Sequence, residues 1–338
     1  MKIVVDAFGG DNAPVEIVKG AVDAVNKYSD ISIILVGNND RVNEELKKYT
    51  YDTSRVETVN SVSVIDCNES PTMAIRTKKD SSLVIGLNQT KERDDVAGFV
   101  SAGSTGAVLA GALFIIGRIK GISRPALAPP LPNINGGNNI LIDCGANMDS
   151  KPEYLNQFAI MGSIYSNRMF GVEKPRVALL NVGTEDEKGN DLCHEAFKLL
   201  KDNKKVNFVG NIEARDILFD NADVIVSDGF SGNVALKSTE GTAKFIIKLL
   251  KNEIKKAGLF EKFGALLIKK TLKRMLKVVD YDNVGGSVFL GVNKIVVKAH
   301  GSSNAKSMLS AIELVRRVHL SGFIDSLKST LEDINVEE

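Results

Sequence analysis

The sequence predicts an α/β protein: a three-layer, Rossmann-like α/β/α arrangement around a mostly parallel sheet, with an amphipathic helical hairpin protruding from it. Three observations lead there. Short β-branched runs alternate with stretches of helical periodicity, the signature of βαβ units. Several of those runs end in glycine- and serine-bearing turns, at the strand ends where open α/β sheets hold ligands. One segment, 233–280, interrupts the alternation with two basic helical patterns. The chain, 1–338, is expected to form a single domain that includes this hairpin.

Composition sets the limits. The chain has 338 residues, room for one large or two ordinary domains. Hydrophobic content of 43% and charged content of 25% are ordinary for a globular protein and exclude wholesale disorder. A formal charge of +1 gives no global reason to expect nucleic acid. The charge is unevenly placed, however. From Gly241 to Val279 there are ten lysines and one arginine against two glutamates, a local +9 that leaves −8 for the rest. That asymmetry implies one basic surface. Cys67, Cys144 and Cys193 form no CxxC pair and read as reduced thiols of a cytosolic protein. Asp6 arrives too early for a signal peptide, and the longest apolar run, Ala107 to Gly117, is shorter than the roughly 20 residues a membrane-spanning helix needs.

Lys2–Val5 reads as a buried strand, followed by the polar loop DAFGGDNAP. Pro14 suits a helix start, and Val15, Val18, Val22 and Val25 mark one helical face. Ile31–Val36 is a second strand, 41–49 a helix, and Val56–Val59 a third strand. Glu69–Asp80 reads as a polar connector, after which Ser81-Ser82 caps a helix to about Lys91. Val96–Ser101 is a strand leading through SAGSTG into an apolar helix, and Arg124–Pro132 is extended because of its prolines. Asn139–Asp143, Arg176–Val182 and Val206–Val209 are further strands, separated by helices from Pro152 to Met169 and up to about Lys201. Val224–Val226 ends in Ser227-Asp228-Gly229, and Phe230–Asn233 is expected to turn the chain into helices over 233–257 and 262–279. Val292–Ala299 returns as a strand, and HGSSN opens the final long helix.

Four turns share a design: SAGSTG (101–106), DCGAN (143–147), SDGFSGN (227–233) and HGSSN (300–304). Each follows a strand pattern and offers small residues with hydroxyl or amide donors, which suits either an anion site or plain strand-to-helix connection. Neither GxxxxGK(S/T) nor GxGxxG is present, and no HExxH or paired Cys/His spacing suggests a metal. We therefore expect no cofactor and no metal. His194 and His319 sit on helical patterns and read as structural. His300, at a strand end before Gly-Ser-Ser, is open to ligand binding or proton handling near neutral pH. Lys188, in the loop TEDEKGN, reads as a surface charge or an anion ligand; Asp228 and Asn233 read as turn and capping residues or as site residues.

In the hairpin, Ala243, Ile246, Ile247, Leu250, Ile254 and Ala257 recur at helical spacing, with Lys244, Lys248, Lys251, Lys255 and Lys256 largely off that face. Ile268, Leu272, Met275, Leu276 and Val279 repeat the pattern against Lys269, Lys270, Lys273, Arg274 and Lys277. The connecting tip carries Leu259, Phe260 and Phe263. Such a hairpin can pack, dimerise, or dip an apolar tip into an anionic membrane surface.

These motifs, in this order, resemble the bacterial phosphate acyltransferase family (PlsX-type) over nearly the whole chain. The matching stretches are DAFGGDNAP, SPTMAIRTKKDSS, SAGSTGA, DCGAN, NVGTEDEKGN, GNIEARD, DVIVSDGFSGNVALKSTEG and KAHGSS. Two positions depart from the family pattern: Phe8 replaces the usual Met, and Ser104 replaces an Asn of the second glycine loop. The resemblance implies a fold similar to phosphate acetyltransferase and isocitrate dehydrogenase-like proteins. It also implies transfer of a long-chain acyl group from acyl carrier protein to orthophosphate. The acyl phosphate would supply phospholipid synthesis through a membrane glycerol-3-phosphate acyltransferase. Under that reading Ser104, Thr105, Gly106, Asn147 and Ser302 are expected at the substrate. Lys188 and Asn233 are expected to steady the oxyanion, and His300 or Asp228 to manage a proton. Arg76, Lys78, Lys79 and the hairpin lysines are expected to dock the acidic carrier protein. A homodimer on the cytoplasmic face of the cell membrane is the expected assembly. Two rivals remain at this point: a short-chain phosphate acetyltransferase using acetyl-CoA, and a non-catalytic membrane scaffold for lipid-synthesis enzymes.

Overall fold

The protein is seen in a computed structural model that describes residues 1–278 and 285–337. Val279 and residue 280 of the expected hairpin lie outside the described residues, as do the side chains of Lys273, Leu276 and Lys277.

The first third alternates as expected: β1 (Lys2–Asp6), α1 (Val15–Lys27), β2 (Ser32–Gly37), α2 (Asn39–Leu46), β3 (Val56–Asn60). The connector that follows is not wholly irregular. Pro71 occupies a first-turn position, where its missing N–H is not needed, and starts α3 (Pro71–Thr77). Helix α4 (Ser82–Glu92) is capped by Ser81, whose hydroxyl accepts the Val84 N–H at 3.3 Å. Then come β4 (Val96–Ser101) and α5 (Thr105–Gly111), which widens into a π turn over Ala112–Ile116. The proline-rich stretch forms β5 (Ala126–Ala128) and β6 (Pro130–Pro132), followed by β7 (Asn138–Ile142), α6 (Pro152–Phe170), β8 (Arg176–Asn181), α7 (Asp191–Asp202), β9 (Asn207–Glu213) and β10 (Val224–Val226).

Four features differ from the sequence reading. Phe230–Asn233 is not a turn: α8 (Gly229–Lys256) begins four residues earlier than expected, because the Asp228 carboxylate accepts the Phe230 and Ser231 N–H groups at 3.0 and 2.9 Å. The hairpin's second arm is broken into α9 (Leu259–Leu267) and α10 (Lys269–Val278). Before β12 (Ile295–Lys298) an unforeseen strand, β11 (Ser287–Leu290), runs antiparallel to it. The last helix is two, α11 (Ala305–Leu320) and α12 (Phe323–Glu337), separated at Gly322, whose φ of +66° suits glycine.

The strands make two sheets, β3-β2-β1-β4-β12-β11-β5 and β6-β7-β10-β8-β9. Pairing is parallel from β3 to β12 in the first and from β7 to β9 in the second; the antiparallel members sit at one end of each. β5 and β6, separated only by Pro129, belong to different sheets, so the proline-rich stretch carries the chain from one to the other.

Successive strand residues point to opposite faces, and burial follows that period of two. Val4, Ile34 and Phe99 face Leu83, Val84 and Leu87 of α4, whereas Ile3, Val5 and Val100 belong to the core under α1 and α11. The latter core continues without a break into Ile140, Val177 and Val224 of the second sheet and Phe158 of α6. Leu141, Ala178 and Ile225 face Leu131 and Leu236 on the other side.

Helix α1 lies so close to α11 that a Cβ on Gly20 would stand 2.6 Å from Met308 Cβ and 2.7 Å from the Ala305 carbonyl oxygen. Alanine would gain about 1 kcal/mol in helix propensity. Overpacking against backbone costs about 1–3 kcal/mol. Gly20→Ala is therefore expected to destabilise the protein by up to about 2 kcal/mol in urea unfolding; a stabilised variant would show that the contact relaxes freely.

Candidate active site

The carboxyl ends of β1, β4 and β12, neighbours in the first sheet, carry three loops that interlock. Asp6 is buried and accepts the Ser101 hydroxyl at 2.7 Å and the Phe8 N–H at 3.2 Å; the Ser101 oxygen in turn accepts the Gly103 N–H at 3.0 Å. Burial pushes the Asp6 carboxyl above its ordinary range, opposed by these hydrogen bonds. The Asp11 N–H donates to the Gly301 carbonyl at 2.8 Å, and the Asn12 amide donates to the carbonyls of Ser302 and Ser303 at 3.1 and 3.2 Å. DAFGGDNAP thus acts as a brace for the other two loops.

A second set of loops forms at the carboxyl ends of β7 and β10. Asp143 is fully buried and accepts the N–H groups of Leu127 (2.9 Å), Ala146 (3.1 Å) and Asn147 (2.7 Å). Burial raises its carboxyl above the usual range against those donors. The first turn of α8 then lies directly on this loop. A Cβ on Gly232 would stand 2.0 Å from the Asp143 carbonyl oxygen, and the Gly229 N–H donates to the Asn147 carbonyl at 2.8 Å.

Between the two sets lies a cleft of about 850 Å³, within the usual range for ligand sites. One wall is Thr105, His300, Ser302 and Ser303. The other is Gly145, Asn233, Leu236 and Lys237, and the cleft continues along α8 past Ala243 and Ile247 to Lys251. Leu127, Pro129, Pro130 and Leu131 form an apolar side. Five lysines line it (Lys237, Lys244, Lys251, Lys298 and Lys306) against Glu240, which Lys237 pairs at 2.8 Å. Partial burial and the nearby Lys237 hold the His300 imidazole below its ordinary value. Its Nδ1 accepts the Ser302 N–H at 3.2 Å and lies 2.8 Å from the Ser302 hydroxyl. The neutral ring assigned from this network carries its proton on Nε2.

The structure therefore gathers Thr105, Asn233, His300 and Ser302 in one cleft, with Ser104 and Gly106 flanking Thr105. Ser104 precedes α5 without a side-chain capping bond, and Gly106 packs toward Pro71. Other expected residues are engaged elsewhere. The Asn147 amide donates to the Pro125 carbonyl at 2.8 Å and to Asp143 at 3.0 Å, and Asp228 caps α8. Lys188 is exposed in the loop after β8, at the same carboxyl edge but outside the cleft lining. Lys298 escaped the sequence reading, although a lysine inside the apolar run Ile295–Ala299 was a visible signal. Lys237 and Glu240 escaped it because nothing local marks which face of a long helix meets a cleft.

Of the expected docking residues, Lys79 is exposed and Arg76 is exposed with its guanidinium 5.6 Å from the Phe114 ring centre. Lys78 is held by Glu69 at 2.6 Å and by the Val64 carbonyl at 2.9 Å. Helix α8 is 28 residues long, about 42 Å at 1.5 Å per residue, and its buried residues end at Leu236. Beyond it, Leu259, Phe260 and Phe263 are 88%, 94% and 62% exposed at the tip. No helix among the described residues is long and apolar enough to cross a membrane.

Residues 1–326 match the family model described as "Fatty acid synthesis protein". A phosphate acyltransferase of Clostridium botulinum is 49% identical over 335 residues, covering 99% of this chain and all of that protein. One from Halothermothrix orenii is 48% identical, covering 98% of each. The chain belongs to the phosphate acyltransferase family. As a phosphate acyltransferase it is an enzyme of the acyl-transfer class. Solved structures agree on the fold: a phosphotransacetylase of Streptococcus pyogenes superposes with a TM-score of 0.61 at 18% identity over 94% of both chains. A branched-chain phosphotransacylase of Enterococcus faecalis gives 0.59 at 13% identity over 94% of this chain and 99% of that one.

Burial lowers the Lys298 amine of this phosphate acyltransferase from 10.5 to about 8. Below pH 8 both folded and unfolded chains carry the proton, and the native state bears the full penalty of a buried charge. Between about 8 and 10.5 the unfolded chain binds more protons, so this contribution to stability rises with pH. Lys298→Met is therefore expected to stabilise the ligand-free protein at pH 7 by on the order of 3 kcal/mol, with the difference from wild type vanishing above about pH 10. Denaturant unfolding across pH checks it; a variant less stable at pH 7 would refute the assignment.

Proposed function

We propose that this phosphate acyltransferase moves a long-chain fatty acyl group from acyl carrier protein to orthophosphate, giving an acyl phosphate for phospholipid synthesis. The observation that carries the reading is the cleft itself. Cationic and hydroxyl groups gather at its loop end, Leu127, Pro129, Pro130 and Leu131 form an apolar side, and the cleft continues along α8 past Ala243 and Ile247, between Lys244 and Lys251, in the direction of the exposed apolar tip. An acetyl donor gives no reason for a cleft of that extent. A thioester needs no enzyme nucleophile, since its thiolate leaves readily. An anionic phosphate oxygen attacks the carbonyl carbon, a tetrahedral oxyanion forms, and its collapse expels the C–S electron pair on the carrier's thiolate. Donors placed for the oxyanion supply most of the rate. The neutral His300, donating from Nε2, and the Asn233 amide fill that role, with Thr105 and Ser302 at the substrate. Asp228 acts by fixing the first turn that presents Asn233.

The basic arm and Lys79 with Arg76 suit an acidic carrier protein. The exposed apolar residues of α8, Phe245, Ile246 and Leu249, suit a second copy of the chain. The tip suits the anionic inner face of the cell membrane, next to a glycerol-3-phosphate acyltransferase that consumes the product.

Incubating purified protein with palmitoyl-carrier protein and phosphate should yield acyl phosphate, trapped by hydroxylamine, whereas acetyl-CoA should yield little. Activity only with acetyl-CoA would move the protein to the short-chain rival, and vesicle binding without any turnover would favour the scaffold. His300→Ala and Asn233→Ala should each lower kcat by about a hundredfold with the fold intact. Lys188→Ala tests whether the loop after β8 reaches the thioester; unchanged turnover removes it from the site.

Leu259→Glu combined with Phe260→Glu should abolish co-sedimentation with anionic vesicles and leave turnover of soluble substrate unchanged. Retained sedimentation would remove the tip from membrane contact.

A further inference from the structure

Lys298 interrupts the apolar strand β12 and is 8% exposed. Lysines at that depth are ordinarily paired. Among the described residues, no carboxylate lies within ion-pairing distance of it. Its Nζ donates to the carbonyl oxygens of Ala299 and, at 3.5 Å, of Ala102. Both acceptors are neutral backbone groups at the root of the two loops that form one wall of the cleft. Asp6, a buried acid at the same sheet edge, is committed to Ser101 and to the Phe8 N–H. Asp11 and Asp6 act on the ammonium only from beyond ion-pairing distance, so it lines the cleft without a direct counter-charge. A second observation points the same way: Ser303, 4% exposed and also in the cleft lining, has a buried hydroxyl with no hydrogen-bond partner.

A buried cation without a partner is a liability for folding alone. It makes chemical sense where a bound anion completes it. We propose that Lys298 Nζ and Ser303 Oγ form the floor of the orthophosphate subsite, where the phosphate dianion provides the counter-charge that the fold withholds. Lys298 touches the nucleophile and holds it below the thioester; it does not exchange protons with it. His300 and Lys237, above it in the same cleft, then meet the oxyanion and the outer phosphate oxygens. This assignment rests on acyl transfer to phosphate, and it excludes the alternative that Lys298 holds the phosphate-bearing arm of the acyl donor.

The test uses the full-length protein with Lys298→Met and Ser303→Ala, orthophosphate as ligand, and two readouts. Orthophosphate should raise the Tm of the wild type, since a ligand of the native state alone stabilises it. Lys298→Met should lose that shift and raise the KM for phosphate by about ten- to a hundredfold, leaving the KM for acyl-carrier protein within about twofold. Ser303→Ala should raise the phosphate KM by about fivefold, and it carries the test alone if the methionine variant does not fold. Unchanged phosphate KM and Tm shift in the folded variants, or an effect confined to the KM for the acyl donor, would overturn the subsite. If the wild type forms no acyl phosphate, the transfer reading fails, while the phosphate-induced Tm shift and its loss in the variants still decide the subsite.

Discussion

The contact on which the site depends is the one between the first turn of α8 and the loop after β7. Gly232 lets a helix rest on the Asp143 carbonyl, where any side chain would stand 2.0 Å from that oxygen. The Gly229 N–H donates to the Asn147 carbonyl and the Asp228 carboxylate closes the helix start. With that contact made, Asn233 and Lys237 come one helical turn apart on the cleft side, facing His300 on the other sheet. The same helix then carries the basic arm beyond the body of the protein. Its backbone amides are capped by Asp228, so α8 contributes side chains rather than a bare N-terminus to any anion.

Three buried charges at the two sheet edges are treated differently, and the difference separates scaffold from site. Asp6 and Asp143 are surrounded by N–H and hydroxyl donors that hold the loops in place. Lys298 has only two carbonyls, and no acid pairs with it among the described residues. The two carboxyl groups are internal acceptors around which backbone donors gather, so those donors are not left for substrate. The cationic lysines and the hydroxyls are what remains for it. An anionic nucleophile fits that remainder, and the apolar side formed by Leu127, Leu131, Leu236 and Ile247 suits an acyl chain.

Most strands were legible because β-branched runs such as Val224–Val226 and Ile295–Lys298 are buried on both faces and end at glycine-bearing turns. The helix starts were less so. Phe230–Asn233 has the composition of a turn, with two glycines and two serines in SDGFSGN, yet it is helical because packing on Asp143 outweighs the roughly 1 kcal/mol that each glycine costs a helix. Pro71–Thr77 looked like a polar connector because its buried face is only Ala74 and Ile75, too few to show a period. The division into two sheets was hidden because it turns on one residue, Pro129, between strands of three residues each.

By itself the sequence determined the α/β class, the order of elements, the four glycine-bearing turns and the family, because these follow from local periodicity, turn chemistry and motif order. Only the tertiary structure decided which turn residues share a cleft. Thr105, Asn233, His300 and Ser302 converge because β4, β12, β7 and β10 end at facing edges of two sheets, a long-range fact with no local signature. It also decided that Asp228 and Asn147 serve the backbone, and that Lys298, unremarkable as one of many lysines in the chain, is buried with no carboxylate paired to it among the described residues. Burial and pairing are properties of neighbours brought from far along the chain, and periodicity carries no record of them.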